Sequence, residues 1–131
     1  MSYLIDTDWV IDHLTGVAGA HALISALASD GVAISIITFS EVYEGIYTSR
    51  DPERAEHSFQ TFLRGVRVLG ISREVARQNA RIRGELRNSK HQITHRALDL
   101  FIAATALTHD LTLVTRNSDH FNDIPALRIY Q

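Results

Sequence analysis

Residues 32–47 read Val-Ala-Ile-Ser-Ile-Ile-Thr-Phe-Ser-Glu-Val-Tyr-Glu-Gly-Ile-Tyr, and two periodicities meet inside them. From Val32 to Ile37 the run is apolar and rich in β-branched residues, the pattern of a strand buried on both faces. From Thr38 to Tyr47 the apolar positions Phe39, Val42, Tyr43 and Ile46 recur at helical spacing, so a helix follows. The rest of the chain repeats this strand-to-helix step. Tyr3–Ile5, Val66–Leu69, Leu111–Val114 and Leu127–Tyr130 read as strands. Helices are expected over Thr7–Leu14, Ala20–Ala28, Asp51–Leu63, Ser72–Asn88 and residues 95–108, with Gly16, Asp30-Gly31 and Asp51-Pro52 as punctuation. The alternation predicts an α/β domain: a central, mostly parallel sheet with helices on both faces, in three layers.

At 131 residues the chain has the length of one domain, so residues 1–131 are read as a single unit. With 45% hydrophobic residues, 21% charged, 7 Gly and 2 Pro, it can bury a core and shows no disordered tract. Cysteine is absent, which excludes a disulfide scaffold, a zinc–thiolate site and a cysteine nucleophile, and suits a reducing compartment. The start, Met-Ser-Tyr-Leu-Ile-Asp, does not read as a secretory signal. The apolar run Leu100–Leu107 falls far short of the roughly 20 residues that cross a bilayer. A cytoplasmic protein without membrane contact is expected.

The net charge of −2 conceals a sorting along the chain. Residues 1–60 hold 9 Asp and Glu against 2 Arg, whereas residues 64–96 hold 8 Arg and Lys90 against only Glu74 and Glu85. Two arrangements produce such a pattern. The halves can neutralise each other, or a carboxylate cluster for metal can stand beside a basic rim for phosphate.

In an open α/β sheet, ligands collect beyond the carboxyl ends of the strands, where the strand order reverses. Asp6 follows the first strand, Glu41 lies just past the second, Asn117 and Asp119 follow the strand that ends near Thr115, and Asp99 lies early in a helix. Carboxylates gathered there suit Mg²⁺ or Mn²⁺, which lowers the pKa of bound water and neutralises charge on a phosphate. Each acid also has an ordinary structural explanation. Asp6 can cap a helix, Glu41 can close a capping box that begins at Thr38, and Asp99 can favour a helix dipole.

Taken in order, the stretches Leu4-Ile-Asp6-Thr-Asp8, Ile37-Thr-Phe-Ser-Glu41-Val-Tyr-Glu-Gly45, Ile82-Arg-Gly-Glu-Leu-Arg87, Asp99-Leu-Phe-Ile-Ala-Ala-Thr-Ala106 and Leu113-Val-Thr-Arg-Asn117, with Phe121 and Ile124-Pro125, resemble a PIN-domain nuclease. The nearest subgroup is the VapC-type toxin of bacterial toxin–antitoxin pairs. The resemblance runs from residue 3 to residue 130. It implies a Mg²⁺-dependent endoribonuclease, with Mn²⁺ as an alternative ion, and assigns the metal chiefly to Asp6 and Asp99. Glu41 matches the second acidic position. The fourth is open: His120 stands where many relatives carry an acid before the residue matching Phe121, leaving Asp119 or Asn117 to fill it. Asp8 is accessory.

Arg73, Arg77, Arg81 and Arg87 stripe one face of the long basic helix, and Lys90-His91 and His95-Arg96 flank the approach to Asp99. Arg77, Arg81, Arg87, Lys90 and Arg96 are therefore expected to track RNA phosphates, with Trp9, Tyr43 and Tyr47 as stacking surfaces. The resemblance further implies a homodimer, and a VapB-like antitoxin whose helix lies in a groove of Phe39, Val42, Tyr43, Ile46, Tyr47, Phe59 and Phe62. Two alternatives are weighed against it. Asp6-Thr-Asp8 imitates the start of haloacid-dehalogenase-like phosphatases, but the single lysine, Lys90, is badly placed for that chemistry. A catalytically inactive PIN or response-regulator-like module would only bind a partner.

Overall fold

In the computed structural model, which describes residues 2–131, four strands and six helices alternate as the sequence pattern requires. They are β1 (Tyr3–Ile5), α1 (Thr7–Leu14), α2 (Ala18–Leu27), β2 (Val32–Ser35), α3 (Ile36–Tyr47), α4 (Pro52–Phe62), β3 (Arg67–Leu69), α5 (Arg73–Asn88), α6 (Ala97–Thr108) and β4 (Thr112–Val114). The sheet order is β3-β2-β1-β4 and every pairing is parallel. In register, Leu4 stands between Ala33 and Leu113, and Ile5 pairs with Val114. The chain goes from β1 to one neighbour first and to the other last, so the strand order reverses at β1.

The period of two along each strand divides the interior into two cores. Leu4, Ala33 and Leu113 face one way, against Val75, Ile82 and Leu86 of α5 and Leu100, Ile102 and Ala103 of α6. Ile5, Ile34 and Val114 face the other, against Val10 of α1, Ile24 of α2, Val42 and Ile46 of α3, and Phe59 of α4. Both faces are covered, which is why these strands read as continuous apolar runs.

Local signals set most helix starts. The Asp6, Ser35, Asp51 and Ser72 side chains accept from backbone N–H groups at the beginnings of α1, α3, α4 and α5, and Pro52 opens α4. Two expected boundaries move. The strand expected to reach Ile37 ends at Ser35, because the Ser35 hydroxyl caps the Thr38 N–H at 3.0 Å and starts α3 two residues early. Glu41 therefore sits inside the helix and closes no capping box. The strand expected over Leu127–Tyr130 contracts to a single parallel bridge between Leu113 and Ile129.

The loop after β4 is closed by ionic contacts. Arg96 grips Asp123 through two hydrogen bonds of 2.6 and 2.9 Å, and donates to the backbone carbonyls of Gln92 and His120. His91 reaches Asp123 at 3.1 Å. Arg96, expected to meet RNA, is thereby committed to the fold. The guanidinium beside it, with burial opposing, holds the Asp123 carboxyl below the usual carboxylate range. A carboxyl whose pKa is lower folded than unfolded stabilises at pH above its unfolded value, near 4, and loses that contribution as pH falls through the folded value. Asp123→Asn should cost about 1–2 kcal/mol at pH 7. Urea unfolding at pH 7 and below pH 3 checks it, because the gap between variant and parent should close in acid.

Candidate active site

Parallel pairing sends the ends of β1, β2 and β4 to one edge of the sheet, and the residues that follow them meet there. Asp6 is 6% exposed. Its Oδ1 accepts from the Thr7 N–H at 2.8 Å and its Oδ2 from the Thr115 hydroxyl at 2.7 Å, so β4 grips the carboxylate that ends β1. The Thr7 hydroxyl donates to Glu41 Oε1 at 2.6 Å and lies 3.0 Å from the Thr38 hydroxyl, tying α1 to α3. Asn117 donates its side-chain amide to Asp8 Oδ2 at 3.0 Å and its backbone N–H to the Thr115 hydroxyl. Across the pocket, His120 Nδ1 stands 3.2 Å from Asp99 Oδ2 in the first turn of α6.

Burial raises the Asp6 carboxyl above its ordinary pKa; the hydrogen bonds from Thr115 and Thr7 oppose this, and the charges of Asp99 and Asp8 reinforce it. Its ionised form is thus disfavoured by everything nearby except two hydrogen-bond donors. A divalent cation would reverse that balance, and the donors at hand are the hard oxygens such a cation takes. Among the described residues no three or more His, Asp or Glu side chains form a group that could hold a metal ion on its own.

Of the expected site residues, Asp6 feels the charges of Asp8 and Asp99, Glu41 is reached through Thr7, and Asn117 bonds Asp8. Asp119 is exposed in a short 3₁₀ turn and does not join their hydrogen bonds. Four hydroxyl residues that the acid pattern overlooks, Thr7, Ser35, Thr38 and Thr115, do the orienting. Thr7 and Thr115 each stand directly after a strand or its terminal acid, a position that could have marked them.

The family model that matches residues 3–127 is that of the PIN domain. The chain belongs to the PIN-domain family. Among curated PIN-domain relatives, Ribonuclease VapC19 of Mycobacterium tuberculosis is 32% identical over 127 residues, covering 95% of this chain and 96% of that protein. Ribonuclease VapC10 of the same species is 34% identical over 119 residues, covering 90% and 84%. A solved structure, VapBC2 from Rickettsia felis bound to a DNA fragment from their promoter, superposes with a TM-score of 0.87 at 26% identity, covering 99% and 98%.

Of the residues expected to meet RNA, Arg77, Arg81, Arg87 and Lys90 are exposed. Lys90 precedes His91, whose contact with Asp123 holds it near the pocket loop. Arg81 bonds Gln78 on its own helix. Among the described residues no ion pair joins the acidic stretch 1–60 to the basic stretch 64–96. The two charge blocks therefore do not cancel by contact. Of the aromatic candidates, Trp9 is covered by the Arg116 guanidinium at 3.9 Å, the Tyr43 hydroxyl donates to Glu56, and Tyr47 is 71% exposed. No helix is long and apolar enough by itself to cross a membrane among the described residues.

Thr115→Val keeps the shape of the side chain and removes the donor to Asp6. Stability should fall by about 1 kcal/mol, while RNA cleavage should fall about 10–100-fold, the range for losing a group that orients a metal ligand. Thermal melts and single-turnover cleavage assays on the same preparation separate the two effects.

Proposed function

We propose that this protein is a Mg²⁺-dependent endoribonuclease, the toxin of a toxin–antitoxin pair, restrained by a VapB-like antitoxin. The observation that carries the reading is the burial of Asp6 at the β1–β4 edge beside Asp99 and Glu41, in a chain whose relatives over nearly its whole length are named ribonucleases. The metal-dependent character belongs to the family; Mg²⁺ is the ion that an all-carboxylate and water shell favours.

Asp6 and Asp99 would hold the ion, which when bound activates water and screens phosphate charge. Thr115 and the Thr7 N–H hold the Asp6 carboxylate in one orientation, with both oxygens engaged. The Thr7 hydroxyl fixes Glu41 at the pocket wall, where it aligns a water for attack on phosphorus. Asn117 holds Asp8 to the rim. Lys90, Arg77, Arg81 and Arg87 supply positive charge along which an RNA backbone can lie without its sequence being read.

The antitoxin reading rests on the chain's likeness to toxins solved with their antitoxins, including VapBC2. Val42, Gly45 and Ile46 of α3 join Ile11 and Leu14 of α1 and Ala55 of α4 around a largely apolar cleft of about 340 Å³, shaped for the apolar face of a helix. Phe39, Tyr43 and Tyr47 lie instead on a separate, shallower shelf with Ile36 and Glu56. Phe59 is fully buried. Of the residues expected to line the groove, Val42 and Ile46 thus line the cleft, and Phe39, Tyr43 and Tyr47 the shelf.

Two outcomes test the assignment. Asp6→Asn and Asp99→Asn should each lower cleavage of single-stranded RNA by at least about 100-fold with melting temperature retained, and Glu41→Gln somewhat less. Full activity of Asp99→Asn in EDTA would sink it. Separately, a Cβ at Gly45 meets nothing within 4 Å, so Gly45→Trp should fold and cleave RNA yet lose co-purification with the co-expressed antitoxin. Tyr47→Ala, on the other surface, should retain the antitoxin.

A further inference from the structure

We infer that Arg116 is a positioning residue for RNA cleavage: stacked on Trp9 and paired with Asp12, it fixes the segment that holds Asp6 and Asp8 in place. The inference rests on the ribonuclease reading and goes past it to what keeps the two sides of the pocket in register.

Three consecutive residues beyond β4 each reach back to α1 or its cap. Thr115 donates to Asp6 at 2.7 Å and Asn117 to Asp8 at 3.0 Å. Between them, the Arg116 guanidinium lies 3.9 Å over the Trp9 ring, and its Nη2 stands 2.8 Å from Asp12 Oδ2. Residues 115–117 belong to no strand or helix, so contacts of this kind set their position. The segment and the first two turns of α1 are thus joined at three successive points, and Arg116 supplies the middle one.

The geometry of that middle contact suits the task. Trp9 packs against the core that holds Ile5, Val10 and Phe59, which makes its ring a fixed base. Its Nε1 is shielded from solvent and has no hydrogen-bond partner among the described residues, so the ring contributes through its face and its packing. A cation over an indole is attracted by the ring's quadrupole, whereas a partly exposed ion pair fixes little alone. Together the ring and Asp12 determine both the plane and the direction of the guanidinium. Its charge is also directed at these two partners, unlike that of Arg77, Arg81 and Arg87, which are exposed on α5. Removing Arg116 should therefore lower turnover and leave RNA affinity in place.

The test is steady-state cleavage of a single-stranded RNA by the full chain at saturating Mg²⁺, with thermal melts and the fluorescence of Trp9, the single tryptophan. Arg116→Ala should shift the Trp9 emission and lower kcat about tenfold, with KM, its salt dependence and the melting temperature nearly retained. Trp9→Leu should give the same loss of kcat, and Trp9→Phe, which keeps a ring under the guanidinium, should recover most of it. The double variant Arg116→Ala, Trp9→Leu should lose no more than either single variant, because both break one contact. A raised KM with a shallower salt dependence would make Arg116 a phosphate contact and overturn the inference. So would a parental kcat in Arg116→Ala, a loss of kcat matched by loss of folded protein, or an unchanged Trp9 emission; each leaves the nuclease centre standing. Absence of RNA cleavage by the parent protein would instead remove the ribonuclease reading, and this role with it.

Discussion

The hydrogen bond from Thr115 to Asp6 closes a separation of 109 positions in the chain, and the pocket depends on the parallel ladder that makes it possible. β1 and β4 run side by side in the same direction, so the residue that ends one meets the residue that ends the other. Asp6 is held at the edge of the core, where its charge is costly. Burial and the nearby carboxylates push its pKa up, and two donors with fixed geometry offset part of that cost. Such a group is suited to a cation that supplies the missing charge. Moving the ladder by one residue would turn Asp6 onto a helix-covered face and dismantle the site.

The same economy of elements recurs at α3. Its N-terminal cap, Ser35, is the last residue of β2, so strand and helix join without a loop and Glu41 is carried to the pocket wall. On the same helix, Val42 and Ile46 are core residues that also line the apolar cleft. The opposite flank displays Phe39, Tyr43 and Tyr47 on the shallower shelf. A single helix thus serves the catalytic edge, the interior and two surfaces, which explains why its sequence is richer in apolar and aromatic residues than one buried stripe requires.

Charge is distributed by an equally simple rule. The acidic first half and the basic middle do not pair directly among the described residues. The basic stretch contributes Arg96 to the loop that follows β4, while Arg77, Arg81, Arg87 and Lys90 are exposed. A carboxylate pocket and a separate exposed basic helix are what a phosphate-directed hydrolase needs: one binds the ion, the other draws the polyanion. His120 stands beside Asp99 on a turn flanked by the buried Phe121, and its backbone carbonyl accepts from Arg96.

Strand and helix alternation was legible in the sequence because burial on both sheet faces leaves continuous apolar runs, and helix starts carry Asp, Ser and Pro at fixed offsets. Asp6, Glu41 and Asp99 were legible as well, since each stands next to such a signal. The orienting hydroxyls of Thr7, Thr38 and Thr115 were not, because threonine is common at caps and strands and acquires its role only from the partner across the pocket. The places of Asn117 and Asp119 were equally hidden: Asn117, just before a 3₁₀ turn, bonds Asp8, whereas Asp119 within that turn is exposed. Arg96 looked like one more free cation until tertiary contact placed Asp123 against it. The sequence by itself determined the elements, their order and which acids could meet, because these follow from local periodicity and chain direction. Tertiary structure alone decided which hydroxyls hold those acids, which cations stay free and how α3 divides its faces, because those outcomes depend on contacts between residues far apart in the chain.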